Sequence, residues 1–444
     1  MYSILRIIAP KKLLVNPPLD SYRLNGVNLT LNVSKIMDYS IVIYLFCILV
    51  IASYLFDMVA RRTKFPSVIL LILSGMGMKL LAESFHYEIP EPFMKEILPS
   101  LGNVGLILIV LEGALELEIT IEKKSLIFHS FFVALITLLL TSIVIAYGLQ
   151  RLCTDTLSYL TYLRHAVPFG VISSAVAIPS VAALTGVKKE FVIYESTFSD
   201  ILGIILFNFI LNNDEIKVGA FGQLSLDILM VFIASILVTY LLLQLMDKIS
   251  HHVKFFLILS ILILTYLIGK HYHLSSLIII FFFGLFLKNT CTFIPRKFIR
   301  FLPLEKAKED LHQFFLLTAE SAFLIRTFFF LFFGFSIDLE HLKHPDAYLY
   351  GGVILLIIYM IRLIYLGLIQ RKNLLPEALI APRGLISILL FLQFYDHLNA
   401  RNELHQLIVK ENTLLIVIFG SMLIMMLGIV KFGEKRSTKK QHSK

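Results

Sequence analysis

Long apolar runs separated by short polar stretches fill the chain from residue 39 to residue 432. A run of roughly 17–25 apolar residues crosses a bilayer as a helix. On that scale the runs fall at 39–56, 66–83, 100–117, 125–150, 164–186, 190–211, 223–246, 254–269, 273–288, 313–337, 346–369, 374–394 and 412–432. They predict an all-α polytopic membrane protein of about 13 transmembrane helices. Losing one span within 254–288 would reverse the topology of everything after it.

Two spans break the pattern. The fifth, HAVPFGVISSAVAIPSVAALTG, holds Pro168, Gly170, Ser173, Ser174, Pro179 and Ser180. The twelfth, PEALIAPRGLISILLFL, has Pro382-Arg383-Gly384 in its middle. Proline lacks a backbone donor and clashes with the preceding turn. Broken backbone survives at membrane depth only where protein or a water-filled cavity satisfies it. Paired interruptions in corresponding halves point to the site of a secondary transporter built from inverted repeats. Ordinary proline kinks explain either helix alone but fit the pair less well.

The sixth span, EFVIYESTFSDILGIILFNFIL at 190–211, carries Glu195 and Asp200. A charge at the bilayer centre costs roughly 2.5–3.5 kcal/mol on insertion scales, so such a residue marks function by default. Helical spacing puts Glu195, Ser196, Ser199 and Asp200 on one broad polar face. A carboxylate beside hydroxyls can hold a proton or a small hard cation, because hard cations take oxygen ligands. A cation/proton exchanger needs that competition. The plainer alternative is that Asp200 pairs with Arg362 or Arg326 and only joins helices.

Composition agrees with a membrane chain. It is 57% hydrophobic and 16% charged, with a mean hydropathy of +0.82. The net charge of +9 would suggest nucleic acid in a soluble protein. Here the basic residues sit between spans, so no nucleic-acid partner is expected. With the amino terminus outside, about 23 Lys and Arg fall on inner segments against about 8 on outer ones. The carboxyl terminus is then cytoplasmic, in a bacterial-type inner membrane. Residues 1–36 form an extension of no assigned role, with Met37 as an alternative start; 37–432 form the transport domain, and 433–444 a short basic tail. Cys47, Cys153 and Cys291 are isolated and form no metal or redox pair. No protease, HExxH or Ser/His pattern is present, so no enzyme activity and no cofactor are expected.

Six motifs, GLILIVLEGALELEI, GVISSAVAIPSVAALTG, ESTFSDILGIILF, FFFLFFGFSIDL, IIYMIRLIYLG and APRGLISILLF, resemble the monovalent cation:proton antiporter superfamily, over roughly residues 40–430. The resemblance implies a homodimer whose six-helix core contains two unwound helices crossing near the midplane. Asp200 then matches the ion- and proton-binding carboxylate, and Ser196 a hydroxyl near the ion. Ser199 takes the place of the Asn found in the electroneutral branch. Glu195 and Arg383 match a structural ion pair, and Arg362 the basic residue of the preceding span, with Arg326 a further supporting base. The fifth span departs from the family: it reads Ala-Ile-Pro at 177–179 where the electroneutral branch has Thr-Asp-Pro. Ion contacts there fall to backbone carbonyls near Val176 and Ala177, or to Ser174.

The resulting expectation is electroneutral exchange of Na⁺ for H⁺ in a lipid bilayer. K⁺ and Li⁺ stay open as the cation, as does a non-exchanging channel or sensor on the same fold. Glu116 is expected to be solvated and Lys79 to snorkel; Glu112 has no assigned role, and Arg326 is expected to be buried and paired, with Glu320 as a candidate partner. His251, His252, His271 and His273 are expected in solvated loops.

Overall fold

The computed structural model describes residues 23–24, 27–28, 33–63, 65–84, 91–153, 157–181, 184, 186–248, 255–271, 276–289, 304–337, 345–370 and 375–432. His251, His252, His273, Cys291 and the predicted tail lie outside these residues. Contacts divide the chain after Ala52. In the first unit β1 (Arg23–Leu24) pairs antiparallel with β2 (Val27–Asn28), followed by the opening of α1 (Val33–Thr63).

The second unit carries the rest of α1 and then α2 (Ser67–Ser84), α3 (Glu91–Glu116), α4 (Lys124–Leu152), α5 (Tyr159–Gly170), α6 (Ser174–Ser180) and α7 (Gly186–Leu211). Next come α8 (Val218–Lys248), α9 (Phe255–His271), α10 (Ser276–Lys288), α11 (Leu304–Ser336) and α12 (Pro345–Gln370). A 3₁₀ turn at Glu377–Leu379 precedes α13 (Leu385–Ala400), and α14 (Glu411–Phe432) closes the described chain. Taking α5 with α6, and the turn with α13, the described residues form 13 spans of an all-α polytopic membrane protein. The fifth and twelfth spans are the broken, crossing members of its inverted repeats. The 254–288 region resolves into two helices, α9 and α10, as predicted.

The spans sort into two packed groups. In one, α11 runs along α2 and α3, and α10 joins α3 to α8 and α9. Gly75 and Gly334 set the α2–α11 distance: an added Cβ would lie 2.1 Å from the Leu331 carbonyl oxygen at Gly75 and 2.2 Å from that of Ile72 at Gly334. Helices in lipid gain little hydrophobic drive toward one another, so close backbone approach through small residues carries the packing. Lys79 Nζ donates to the Ile337 carbonyl at 2.8 Å, just past the end of α11.

In the other group α4 packs on α5 and α7, α12 on α14 and α4, and α13 on α5. The α4 sequence explains its place. Ser130, Ala134, Thr137, Thr141, Ser142 and Ala146 recur at helical spacing and are buried, which lets α5 and α7 come close. Phe128, Phe132, Leu140 and Tyr147 are exposed, as a lipid-facing side requires.

Candidate ion-binding site at the helix crossing

The fifth span starts cleanly: the Ser158 side chain caps α5 by accepting the Thr161 N–H. The helix stops at Gly170, and the chain runs extended until α6 begins at Ser174. The twelfth span is likewise interrupted between Ile380 and Gly384. The two breaks meet where the Ser173 N–H donates to the Pro382 carbonyl at 2.9 Å. Gly384 makes that approach possible, since a Cβ there would lie 2.7 Å from Ser173 Oγ.

Each break frees backbone groups that need partners in the absence of water. Two of the freed donors are satisfied by α7. Ser199 Oγ accepts the Ile172 N–H at 2.9 Å, and Asp200 Oδ2 accepts the Ser174 N–H at 3.1 Å. The Arg383 N–H finds Ser421 Oγ on α14 at 2.9 Å. The freed acceptors go to one guanidinium: Arg383 donates to the carbonyls of Phe169 at 2.7 Å and Ala381 at 2.6 Å, with Gly170 at 3.5 Å. Arg383 thus caps both broken spans at once.

That use of Arg383 corrects the predicted Glu195–Arg383 pair. Glu195 pairs instead with Arg362, whose Nη1 and Nη2 donate to its two oxygens at 2.5 and 2.8 Å. Arg362 also donates twice to the Glu377 carbonyl. The physical reason is competition: the carbonyls orphaned by the breaks take the donors of Arg383, while the fork of Arg362 on α12 matches a carboxylate in bidentate fashion.

Asp200 is 4% exposed. Among the described residues no basic side chain forms an ion pair with it, so the plainer reading, a pair with Arg362 or Arg326, is not what the fold contains. Its Oδ1 is buried without a hydrogen-bond partner. Ser196 is fully buried and donates to the Ile193 carbonyl of its own helix at 3.3 Å. Of the fifth-span candidates, Ser174 contributes its N–H to Asp200, whereas the Val176 carbonyl accepts from Ser180 Oγ at 2.7 Å.

Arg326 finds its partner on α3: Nη2 donates to Glu112 Oε2 at 2.7 Å, and Nη1 to the Ala175 carbonyl at 3.1 Å. This also gives Glu112 a role. Beside the pair lies a cavity of about 30 Å³ lined by Glu112, Glu116, Ser174, Ala175, Pro179 and Arg326, among others. Glu116, expected to be solvated, turns toward it with Oε2 buried and unpartnered; Arg326 Nε is likewise unpartnered. A polar space of that size takes about two waters, and Ser174 touches both the space and Asp200.

Several residues escape sequence reasoning. Glu377 is buried and pairs with Lys188 at 3.2 Å; a carboxylate at the mouth of a broken span was its only signal. Ser421 gave none. His165 is buried, with Nδ1 2.9 Å from the Thr161 carbonyl and Nε2 accepting the Ile408 N–H at 3.1 Å. Those two bonds fix the tautomer with the proton on Nδ1.

Residues 41–431 match the family model for the sodium/hydrogen exchanger, transmembrane. The chain is similar to Na(+)/H(+) antiporter 1 of Methanocaldococcus jannaschii, at 26% identity over 378 residues, covering 77% of this chain and 80% of that protein. A structure of the sodium proton antiporter MjNhaP1 from the same organism at pH 8 superposes with a TM-score of 0.68 at 20% identity, covering 88% of this chain and 97% of the other. An electron-microscopy structure of MjNhaP1 gives 0.63 at 18% identity, with 88% and 95% covered. Crossed broken spans, the matched family model and a shared fold over nearly the whole length agree: the chain belongs to the sodium/hydrogen exchanger transmembrane family.

Proposed function

We propose that this protein is a secondary antiporter that exchanges one monovalent cation, Na⁺ first, for one proton at Asp200. The observation that carries this reading is a buried carboxylate with one oxygen on the Ser174 N–H, the other oxygen unpartnered, and no contact ion pair to a basic side chain among the described residues. Burial disfavours a bare carboxylate, so Asp200 must bind either a proton or a cation. Oxygen donors from Asp200, Ser196 and the broken fifth span suit a hard monovalent cation.

Charge balance around Asp200 supports an electroneutral cycle, on the reading that Glu116, whose Oε2 is also buried and unpartnered, stays protonated throughout. Glu195 is neutralised by Arg362 and Glu112 by Arg326. Ser199, beside Asp200, is uncharged and engaged with the Ile172 N–H. One exchangeable charge then carries one proton or one cation. The polar cavity by Ser174 gives room for water beside the site. Alternating access is a movement of the group containing α4–α7 and α12–α14 against the group containing α2, α3 and α8–α11, which serves as a homodimer scaffold. The positive-inside bias supports an amino terminus outside and a carboxyl terminus in the cytoplasm of a bacterial-type inner membrane.

The test is a pH-sensitive dye in proteoliposomes, titrated separately with Na⁺, Li⁺ and K⁺. Cation-driven proton movement is expected, lost in Asp200→Asn. Cation flux with no proton movement would replace this reading with a channel.

A further inference from the structure

One guanidinium joins the two packed groups. Arg326 belongs to α11, which runs along α2 and α3. Its Nη2 donates to Glu112 Oε2 on α3 at 2.7 Å, within the same group. That pair anchors the guanidinium and leaves Nη1 for the other group, where it donates to the Ala175 carbonyl on α6 at 3.1 Å. The residue before Ala175 is Ser174, whose N–H donates to Asp200 Oδ2 at 3.1 Å. Two adjacent residues at the break of the fifth span are thus held by two charged side chains, Asp200 from α7 and Arg326 from α11.

Both holds depend on the charge of Asp200. A carboxylate accepts the Ser174 N–H roughly twice as strongly as a neutral acid does. A bare carboxylate also attracts Arg326 through the low-dielectric interior, although the two form no contact pair. Together these effects keep α6 against α11. A proton or a cation on Asp200 cancels them. The guanidinium then has a second place to rest. The cavity of about 30 Å³ beside it is also lined by Glu116, and Glu116 Oε2 and Arg326 Nε are both buried without a partner. With Glu116 protonated, that oxygen is still an acceptor, and it lies on α3, in the same group as Arg326.

An exchanger must stay still when empty, because return of an empty site turns exchange into a cation leak. We propose that Arg326 is a positioning residue that locks the empty carrier: it ties α6 to α11 while Asp200 is bare and lets go once a proton or a cation neutralises it. The proposal rests on Asp200 as the exchange site and on movement of the two groups against each other.

The test compares two fluxes through the full-length protein in vesicles loaded with radioactive Na⁺. The medium is alkaline and strongly buffered, with a protonophore to collapse the membrane potential. Efflux into choline requires the empty site to return, whereas efflux into unlabelled Na⁺ requires only the loaded one. The parent is expected to release label into Na⁺ many-fold faster than into choline. Arg326→Gln should raise the choline flux by about tenfold, the equivalent of one lost hydrogen bond to a charged group, and leave the Na⁺ flux near the parent's. Glu112→Gln with Arg326→Gln strands no carboxylate and should give the same result where the single variant fails to fold. Arg326→Lys keeps a charged donor and should keep the choline flux low. Tyr194→Phe removes another bond between the groups, from Tyr194 to the Glu118 carbonyl at 2.6 Å. That bond does not involve Asp200, so the ratio of its two fluxes should match the parent's. A parent that exchanges Na⁺ with a flux ratio that survives loss of Arg326, or that falls as far in Tyr194→Phe, overturns the lock. A parent with no Na⁺ exchange at all overturns the Asp200 reading beneath it.

Discussion

Arg362→Met removes the positive half of an ion pair whose side chains are 3% and 1% exposed. Glu195 then loses two charge-assisted bonds at 2.5 and 2.8 Å, and the Glu377 carbonyl loses its two bonds from the guanidinium and keeps the Ile380 N–H. Stranding one partner of a buried pair costs about 3–5 kcal/mol. At an unfolding entropy of about 2.1 cal/mol/K per residue, over some 400 residues, that is a fall in Tm of roughly 4–6 °C. Glu195→Gln keeps an acceptor oxygen, and the Glu377 carbonyl still holds Arg362, so its cost is smaller, about 1–3 kcal/mol. The chain has no tryptophan, so melting is followed by heating a fluorescent fusion and measuring the folded peak by size-exclusion chromatography. A double-mutant cycle separates the partners. Glu195 with Arg362 should couple by about 1–3 kcal/mol, and Glu195 with Arg383 by less than about 0.5 kcal/mol. An unchanged melt in Arg362→Met, or the stronger coupling at Arg383, would refute the assignment.

Ser199→Ala strands the Ile172 N–H and is expected to cost about 1–3 kcal/mol in stability while leaving the half-maximal cation concentration within about twofold; a tenfold shift would make Ser199 an ion ligand. Gly334→Ala forces a Cβ against the Ile72 carbonyl and should cost about 1–3 kcal/mol as overpacking, read as lower yield and melting temperature. Asp214 accepts from Arg164 at 2.9 Å and lies near Arg401, which holds its carboxyl below the ordinary value of 3.8. Its contribution to stability is therefore full above that value and lost as pH falls through the lower folded one; Asp214→Asn should flatten this acid limb of the melting profile, and an unaltered limb would contradict it.

The span pattern was legible because bilayer thickness fixes helix length, and apolar runs record it. The breaks were legible because Pro168, Pro179 and Pro382 each remove a backbone donor, although Pro168 and Pro179 sit inside α5 and α6 and the fifth span breaks between them, at 171–173. Asp200 stood out because a carboxylate in an apolar run is costly. Pairings were less legible. Sequence places Arg362 and Arg383 in neighbouring spans, but the choice of Glu195 depends on which carbonyls the breaks expose, and only the fold shows that. Glu112 and Arg326 are 214 residues apart, and nothing in either local motif names the other. Ser421 is an ordinary polar residue in an apolar helix until the Arg383 N–H lands on it.

The most direct test of the Asp200 assignment is cation-driven proton movement in proteoliposomes holding Asp200→Asn at the same protein density as the parent. Asparagine cannot release a proton in this range, so no dye response to Na⁺, Li⁺ or K⁺ is predicted from a variant that elutes and melts as the parent does. Parent-like exchange from that variant would contradict the account.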